Sequence, residues 1–157
     1  FGLAGVRTLN VLTPDDPAIA SLNAFACDNG FPDGWANQML ADGCQATLAL
    51  DTATGVPLAM GWRTTSPFWV EEIGTPFDPQ GAAYLFGDFV APAHRGRGLQ
   101  RLLVSHRLRQ APPVNCCTII HPDNTASLRN YQHEGFRPTG AYQVFEWLGI
   151  RKARRRP

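Results

Sequence analysis

AYLFGDFVAPAHRGRGLQRLLVSHRLRQ, residues 83–110, opens as an apolar run, breaks at Pro92, crosses an Arg/Gly segment and resumes with leucines at helical spacing, Leu99, Leu102 and Leu103. The pattern predicts a strand, a tight turn and a helix. Gly96 and Gly98 lack a Cβ, so the backbone there can bend sharply and approach a ligand, and the helix that follows directs its unpaired amides back at the turn. Such a turn holds anions. Arg95, Arg97, Arg101, Arg107 and Arg109 cluster around it with no carboxylate between Asp88 and Asp123, so the expected anion is a phosphate.

Two common phosphate loops fail against these residues. A P-loop needs Gly-Lys-Ser/Thr, and the only lysine is Lys152. A dinucleotide fingerprint needs a third glycine where Arg101 stands, and it belongs early in a chain. What remains, Arg95-Gly96-Arg97-Gly98 after a strand ending Phe89-Val90-Ala91-Pro92, resembles the coenzyme A pyrophosphate loop of the GNAT superfamily of N-acetyltransferases, Arg/Gln-x-x-Gly-x-Gly/Ala. Arg95 and Gly98 match; Gln100 replaces the final small residue and either crowds the pyrophosphate or points away. Downstream, HPDNTASLRNYQHEGF (residues 121–136) resembles the second GNAT signature, an Asn ahead of a short helix that carries Tyr and ends in Gly-Phe. The ordered pair is far more specific than either motif alone.

The resemblance implies an α/β, GNAT-like acyl-CoA N-acyltransferase fold, a mixed and mostly antiparallel central sheet flanked by helices. One domain would occupy residues 1–150, with 151–157 as a basic C-terminal tail. It implies acetyl-CoA as cosubstrate, with amides from Arg95, Gly96, Arg97 and Gly98 on the pyrophosphate and Gln100 and Asn124 close by. Two strands, Tyr84–Val90 and Val114–Ile120, would splay around the pantetheine arm, with the thioester carbonyl near the backbone of Phe89 and Val90. Tyr131 takes the place of the family's thiol-protonating tyrosine, and Asp88 through a water, Glu72 or His121 are the candidate bases in that order. Trp35 and Phe31 would overhang the acceptor, with Trp69 and Glu72 on a loop folded over the same side; core packing and plain surface carboxylates are the competing readings. The acceptor is expected to be a small-molecule or peptide amine, without nucleic acid or membrane, and relatives are often dimers. A non-catalytic acyl-CoA-binding module on the same fold is the alternative, and Gln100 is the residue that favours it.

Composition bounds the rest. With 157 residues, 44% of them hydrophobic and 17% charged, the chain suits one globular domain. No apolar run reaches the roughly 20 residues of a membrane helix, and no signal segment starts the chain. It begins at Phe1 without Met, as a processed or excised chain would. The net charge of +1 hides five basic residues among the last seven, read as a solvated end. Cys27, Cys44, Cys116 and Cys117 lack metal-ligand spacing and read as reduced thiols, which points to the cytoplasm and to no metal.

In chain order, Val6–Leu12 is expected as a strand, a helix follows Asp16-Pro17 to about Asn29, and a second runs from Asp33 to Leu40. Ala46–Leu50 and Val56–Trp62 read as a hairpin, and residues 66–81 as an irregular aromatic loop. Asp88 interrupts an otherwise apolar strand, so it holds a structural hydrogen bond or faces the reaction cleft. His106 lies on the leucine face of its helix and reads as a core histidine. Asn124 caps the Tyr131 helix, Gly135 stops it, and Ala141–Leu148 is the last strand.

Overall fold

The computed structural model describes residues 2–110, 115–147 and 150–156. Strand β1 (Val6–Val11) leads to helices α1 (Ile19–Asp28) and α2 (Trp35–Ala41). Asp16 marks the start of α1 as expected, its carboxylate accepting the Ala18 backbone N–H at 2.9 Å. Strands β2 (Gln45–Asp51) and β3 (Pro57–Thr64) form the expected hairpin, followed by β4 (Phe68–Val70), β5 (Thr75–Phe77) and β6 (Ala83–Val90). Helix α3 (Leu99–Gln110), strand β7 (Cys116–Cys117), helix α4 (Thr125–His133) and strands β8 (Ala141–Trp147) and β9 (Ile150–Arg156) complete the chain.

The main sheet has the order β1-β2-β3-β6-β7, antiparallel except for the parallel β6–β7 pair. Its middle strands are buried on both faces, which is why β2 reads as a nearly continuous apolar run. On one face Leu22, Phe25, Ala36, Met39 and Leu40 of α1 and α2 pack on Leu48, Met60 and Trp62. On the other, the leucine stripe of α3 packs on Ala49, Leu58 and Ala59, while Val104 meets Leu85 and Tyr131. The mixed, mostly antiparallel sheet flanked by helices is the architecture the sequence implied.

Three expectations change. The loop over 66–81 contains a small hairpin, β4 on β5, because Phe68, Val70 and Phe77 bury against Tyr84. The strand expected over Val114–Ile120 shrinks to Cys116–Cys117; Val114 itself lies outside the described residues. Thr118 to Ile120 run free of the ladder. The basic run is no loose tail: Ile150–Arg156 pairs antiparallel with β8, so a boundary at 150 cuts a hairpin. Leu148, the expected end of β8, lies outside the described residues.

One irregularity positions the site. Met60 pairs with Phe89 and Trp62 with Phe86, so Gly61 alone faces two residues, Gly87 and Asp88. This is a β-bulge, and Gly87 takes the positive φ of +60° that favours glycine. A Cβ on Gly87 would also come within 3.0 Å of the Trp62 ring. The extra residue shifts the alternation of β6. Phe86 and Phe89 therefore share the α1/α2 face, and Leu85, Asp88 and Val90 share the α3/α4 face.

Candidate active site

The bulge delivers Asp88 between α3 and α4, with its side chain only 5% exposed. A carboxylate so placed needs partners, and it has three. Arg107, 1% exposed on α3, forms an ion pair through Nη2 with Asp88 Oδ1. Tyr131 on α4 donates its hydroxyl to Asp88 Oδ2 at 2.8 Å, and Gln100 Nε2 reaches the same oxygen at 3.3 Å. The remaining guanidinium donors go to Trp62 O at 2.6 Å, Leu103 O at 3.2 Å and Phe86 O at 3.5 Å. Gly61 makes room for the pair, since a Cβ there would stand 2.5 Å from Asp88 Oδ1 and 2.9 Å from Arg107 Cζ.

Burial is the largest influence on Arg107 and lowers its pKa, but the Asp88 charge, Tyr131 and the hydrogen bonds to both together outweigh it, and the group is held above its ordinary value. Burial, with the Asp88 charge second, pushes the Tyr131 phenol well above its usual value, while Arg107 and the Thr118 hydroxyl pull weakly the other way. Tyr131 therefore stays protonated at physiological pH.

Gln100 resolves toward the second of its two alternatives. Its Nε2 donates to Ser127 Oγ at 2.8 Å and its Oε1 accepts from Asn130 at 2.7 Å, so it ties α3 to α4 and leaves the loop uncrowded. Asn124 caps α4 as expected, accepting the Ser127 N–H at 3.1 Å. At the loop, Gly96 and Gly98 both have positive φ, +76° and +78°, and nothing lies within 4 Å of the place where a Cβ on Gly96 would sit.

Of the five arginines expected around an anion, three are committed elsewhere. Arg107 is buried, Arg101 pairs with Glu134 at 2.8 Å, and Arg109 donates to Ser105 Oγ at 2.7 Å. Arg95 and Arg97 remain at the loop, exposed, reaching Val90 O and His94 Nδ1 at 3.3 and 3.0 Å. Arg107 was legible only in part: it follows Leu99 and Leu103 at four-residue steps, so a charge was being placed on a buried stripe. His106, expected in the core, is half-buried beside it with Nδ1 2.8 Å from Thr8 Oγ1.

Where Thr118–Ile120 leave β6, a cleft of about 590 Å³ opens. One end is lined by Thr118, His121, Asn124 and Ser127, with Gly87 and the hydrogen-bonded group of Asp88, Gln100 and Tyr131 at its floor. The other end is aromatic, with Phe31 and Trp35 from the α1/α2 side, Phe68, Tyr84 and Phe86 from the sheet side, and Trp69, Glu71 and Glu72. The cleft thus gathers Trp35, Trp69, Glu72, Asp88, Gln100, Asn124 and Tyr131. Phe89 and Val90 are not in its lining: Phe89 packs edge-on against Phe25 and Phe31, and Val90 against the α3 leucines. Arg95, Gly96, Arg97 and Gly98 stand outside it, on the loop ahead of α3. No group of His, Cys, Asp and Glu among the described residues is arranged to hold a metal, and no helix among them is long and apolar enough to cross a membrane.

Comparison with known proteins bears on the family and the fold. Peptidyl-lysine N-acetyltransferase YjaB of Salmonella typhimurium is 32% identical over 84 residues, which cover 50% of this chain and 56% of that protein. The match therefore spans little more than half the relative's length. Among solved structures, the aminoglycoside acetyltransferase AAC(6')-Iy bound to a CoA-containing bisubstrate analogue superposes with a TM-score of 0.66 at 19% identity, covering 90% of this chain and 97% of that one. AAC(6')-Ih of Acinetobacter baumannii gives 0.63 at 20% identity over 91% and 98% of the two chains. At such identities the likeness concerns the fold. The sequence pattern of the acetyltransferase (GNAT) family matches residues 24–136, most of the chain, and the protein belongs to that family.

Proposed function

We propose that the protein transfers the acetyl group of acetyl-CoA to a primary amine by direct attack, with Tyr131 as the proton donor to the leaving thiolate. The observation that carries this is the Tyr131 hydroxyl, buried, protonated and fixed by Asp88 at the floor of the cleft. The residues present suit the cosubstrate: two positive-φ glycines open the loop beside two exposed arginines, and the β6–β7 ladder ends where the cleft begins. Backbone amides from Arg95 to Gly98 would hold the pyrophosphate, helped by the Arg95 and Arg97 side chains. Asn124, the cap of α4, also lines the cleft, where it would lie close to the cofactor.

Acetyl-CoA supplies the activated thioester. As the amine nitrogen bonds to the acetyl carbon and the carbon–sulfur bond breaks, Tyr131 gives its proton to sulfur, and the proton lost by the new amide nitrogen restores the phenol. Asp88 serves better as an orienting group than as the base, because both of its oxygens already accept hydrogen bonds from protein. Arg107 offsets the Asp88 charge and so lessens the cost of a transient phenolate beside it. Gln100, the residue that favoured a non-catalytic module, bonds into the α3–α4 seam, which supports the catalytic reading over that alternative.

The test is acetyl-CoA binding by titration calorimetry together with thiol release in an amine screen. Gly98→Trp should lose binding. Tyr131→Phe should keep binding and lose roughly 10²–10⁴-fold in turnover, the usual worth of a positioned proton donor. Unchanged turnover in Tyr131→Phe would sink the assignment.

A further inference from the structure

The acceptor end of the cleft differs in chemistry from its floor. Phe31 and Trp35 stack with ring centroids 4.6 Å apart, and Phe68 and Phe86 lie 4.3 Å apart, all four lining the same cleft. Trp69, 51% exposed, adds a further ring. Flat apolar walls of this kind receive ring faces and hydrocarbon, and offer few partners to a hydroxyl.

The charges narrow the class further. Glu72 is an exposed lining residue, whereas the charge of Asp88 is matched by Arg107. The acceptor end thus favours one ammonium through the Glu72 carboxylate and ring faces rather than a body bearing several. Among the described lining residues there is no lysine or arginine, so a carboxylate on the acceptor would find no such cation to pair with. That disfavours free amino acids. A polyhydroxylated polycation is disfavoured by the walls and by the charge together.

Resting on the acetyl-transfer reading, we infer that the acceptor is a primary monoamine carried on an apolar, ring-bearing arm without a carboxylate. Trp69 and Glu72 select it at the acceptor end of the cleft.

The experiment measures thiol release from acetyl-CoA with 2-phenylethylamine, phenylalanine, spermidine, kanamycin and an N-terminally blocked lysine peptide. The parent chain is compared with Trp69→Ala and Glu72→Gln, and acetyl-CoA binding is measured calorimetrically in parallel. Phenylethylamine should exceed phenylalanine and kanamycin by at least about tenfold in kcat/KM. Trp69→Ala and Glu72→Gln should each raise its KM several-fold and leave acetyl-CoA binding in place. A preference for kanamycin, spermidine or the lysine peptide, or an unchanged KM in both variants, overturns the inference while leaving acetyl transfer standing. Acetyl-CoA binding without turnover of any amine overturns the acceptor class. Neither binding nor turnover overturns acetyl transfer, and the inference with it.

Discussion

Replacing Arg107 by Met removes a cation that is 1% exposed and leaves the Asp88 carboxylate, itself 5% exposed, without a counter-charge. Met spans much of the same volume, so the loss is mainly electrostatic. Tyr131 and Gln100 still donate to Asp88, but Trp62 O and Leu103 O each lose a hydrogen bond. Breaking one side of a buried pair costs about 3–5 kcal/mol, out of a total stability of about 5–15 kcal/mol for a domain. With a urea m-value near 2 kcal/mol per molar, the unfolding midpoint should fall by about 2 M. Asp88→Asn keeps one acceptor oxygen, turns an amide donor toward the other partner and leaves the Arg107 charge buried without its counter-ion, so it should cost a similar amount, about 3–5 kcal/mol. The double variant removes both charges and should be more stable than the sum of the singles predicts, by about 2 kcal/mol. Urea unfolding followed by circular dichroism reads all three, and Arg107→Lys gives a milder version if the Met variant does not fold. A shift below about 0.5 M at constant m, or strictly additive singles, would refute the view that the charges hold each other in place.

Two further outcomes follow from the same neighbourhood. Gly61→Ala sets a methyl 2.5 Å from Asp88 Oδ1 and 2.9 Å from Arg107 Cζ; it should cost about 1–3 kcal/mol in urea unfolding, and a neutral result would show that the pair has room to move. His106, beside Thr8, has its pKa held below the ordinary 6.5 by burial first and by Arg109 and Arg107 next. A histidine depressed in this way lets the unfolded chain take up the proton first, so stability present above that value is lost as pH falls toward the folded pKa. Thermal midpoints at pH 7.5 and 5.5 should differ more for the parent than for His106→Gln, and equal differences would remove His106 from the acid response.

The parts of the fold legible in the sequence were those written in local patterns. Pro92, the Arg/Gly turn and the spaced leucines specify β6, the loop and α3, and Asn124 with Gly135 bounds α4. Tyr131 and Asp88 could be named, yet not joined, because their contact depends on tertiary pairing across 43 residues. The arginines misled in the same way: five equal letters become one buried counter-ion, one residue tied to its own helix, one paired across to the end of α4 and two at the loop. A charge at a stripe position and an aspartate in a buried strand were each visible, and only the bulge at Gly87 brings them to one face. The hairpin within 66–81 escaped notice because Pro67, Pro76 and Gly74 read as breakers, while burial against Tyr84 outweighs that preference. Cationic β9 escaped because charge suggested solvent, and its pairing partner lies before it in the chain.

The bulge also constrains how this strand can vary in length. Its first half is anchored by Cys116 and Cys117 and its second half by Ala59 and Met60. Losing Gly87 would leave Asp88 alone opposite Gly61, so both anchors would keep their register and Phe86 and Phe89 their common face. What would go is the extra local twist that the bulge gives the strand. A residue gained between the anchors has no such outlet, and an alignment that opens a one-residue gap at Gly87 removes the bulge while keeping the sides of the sheet.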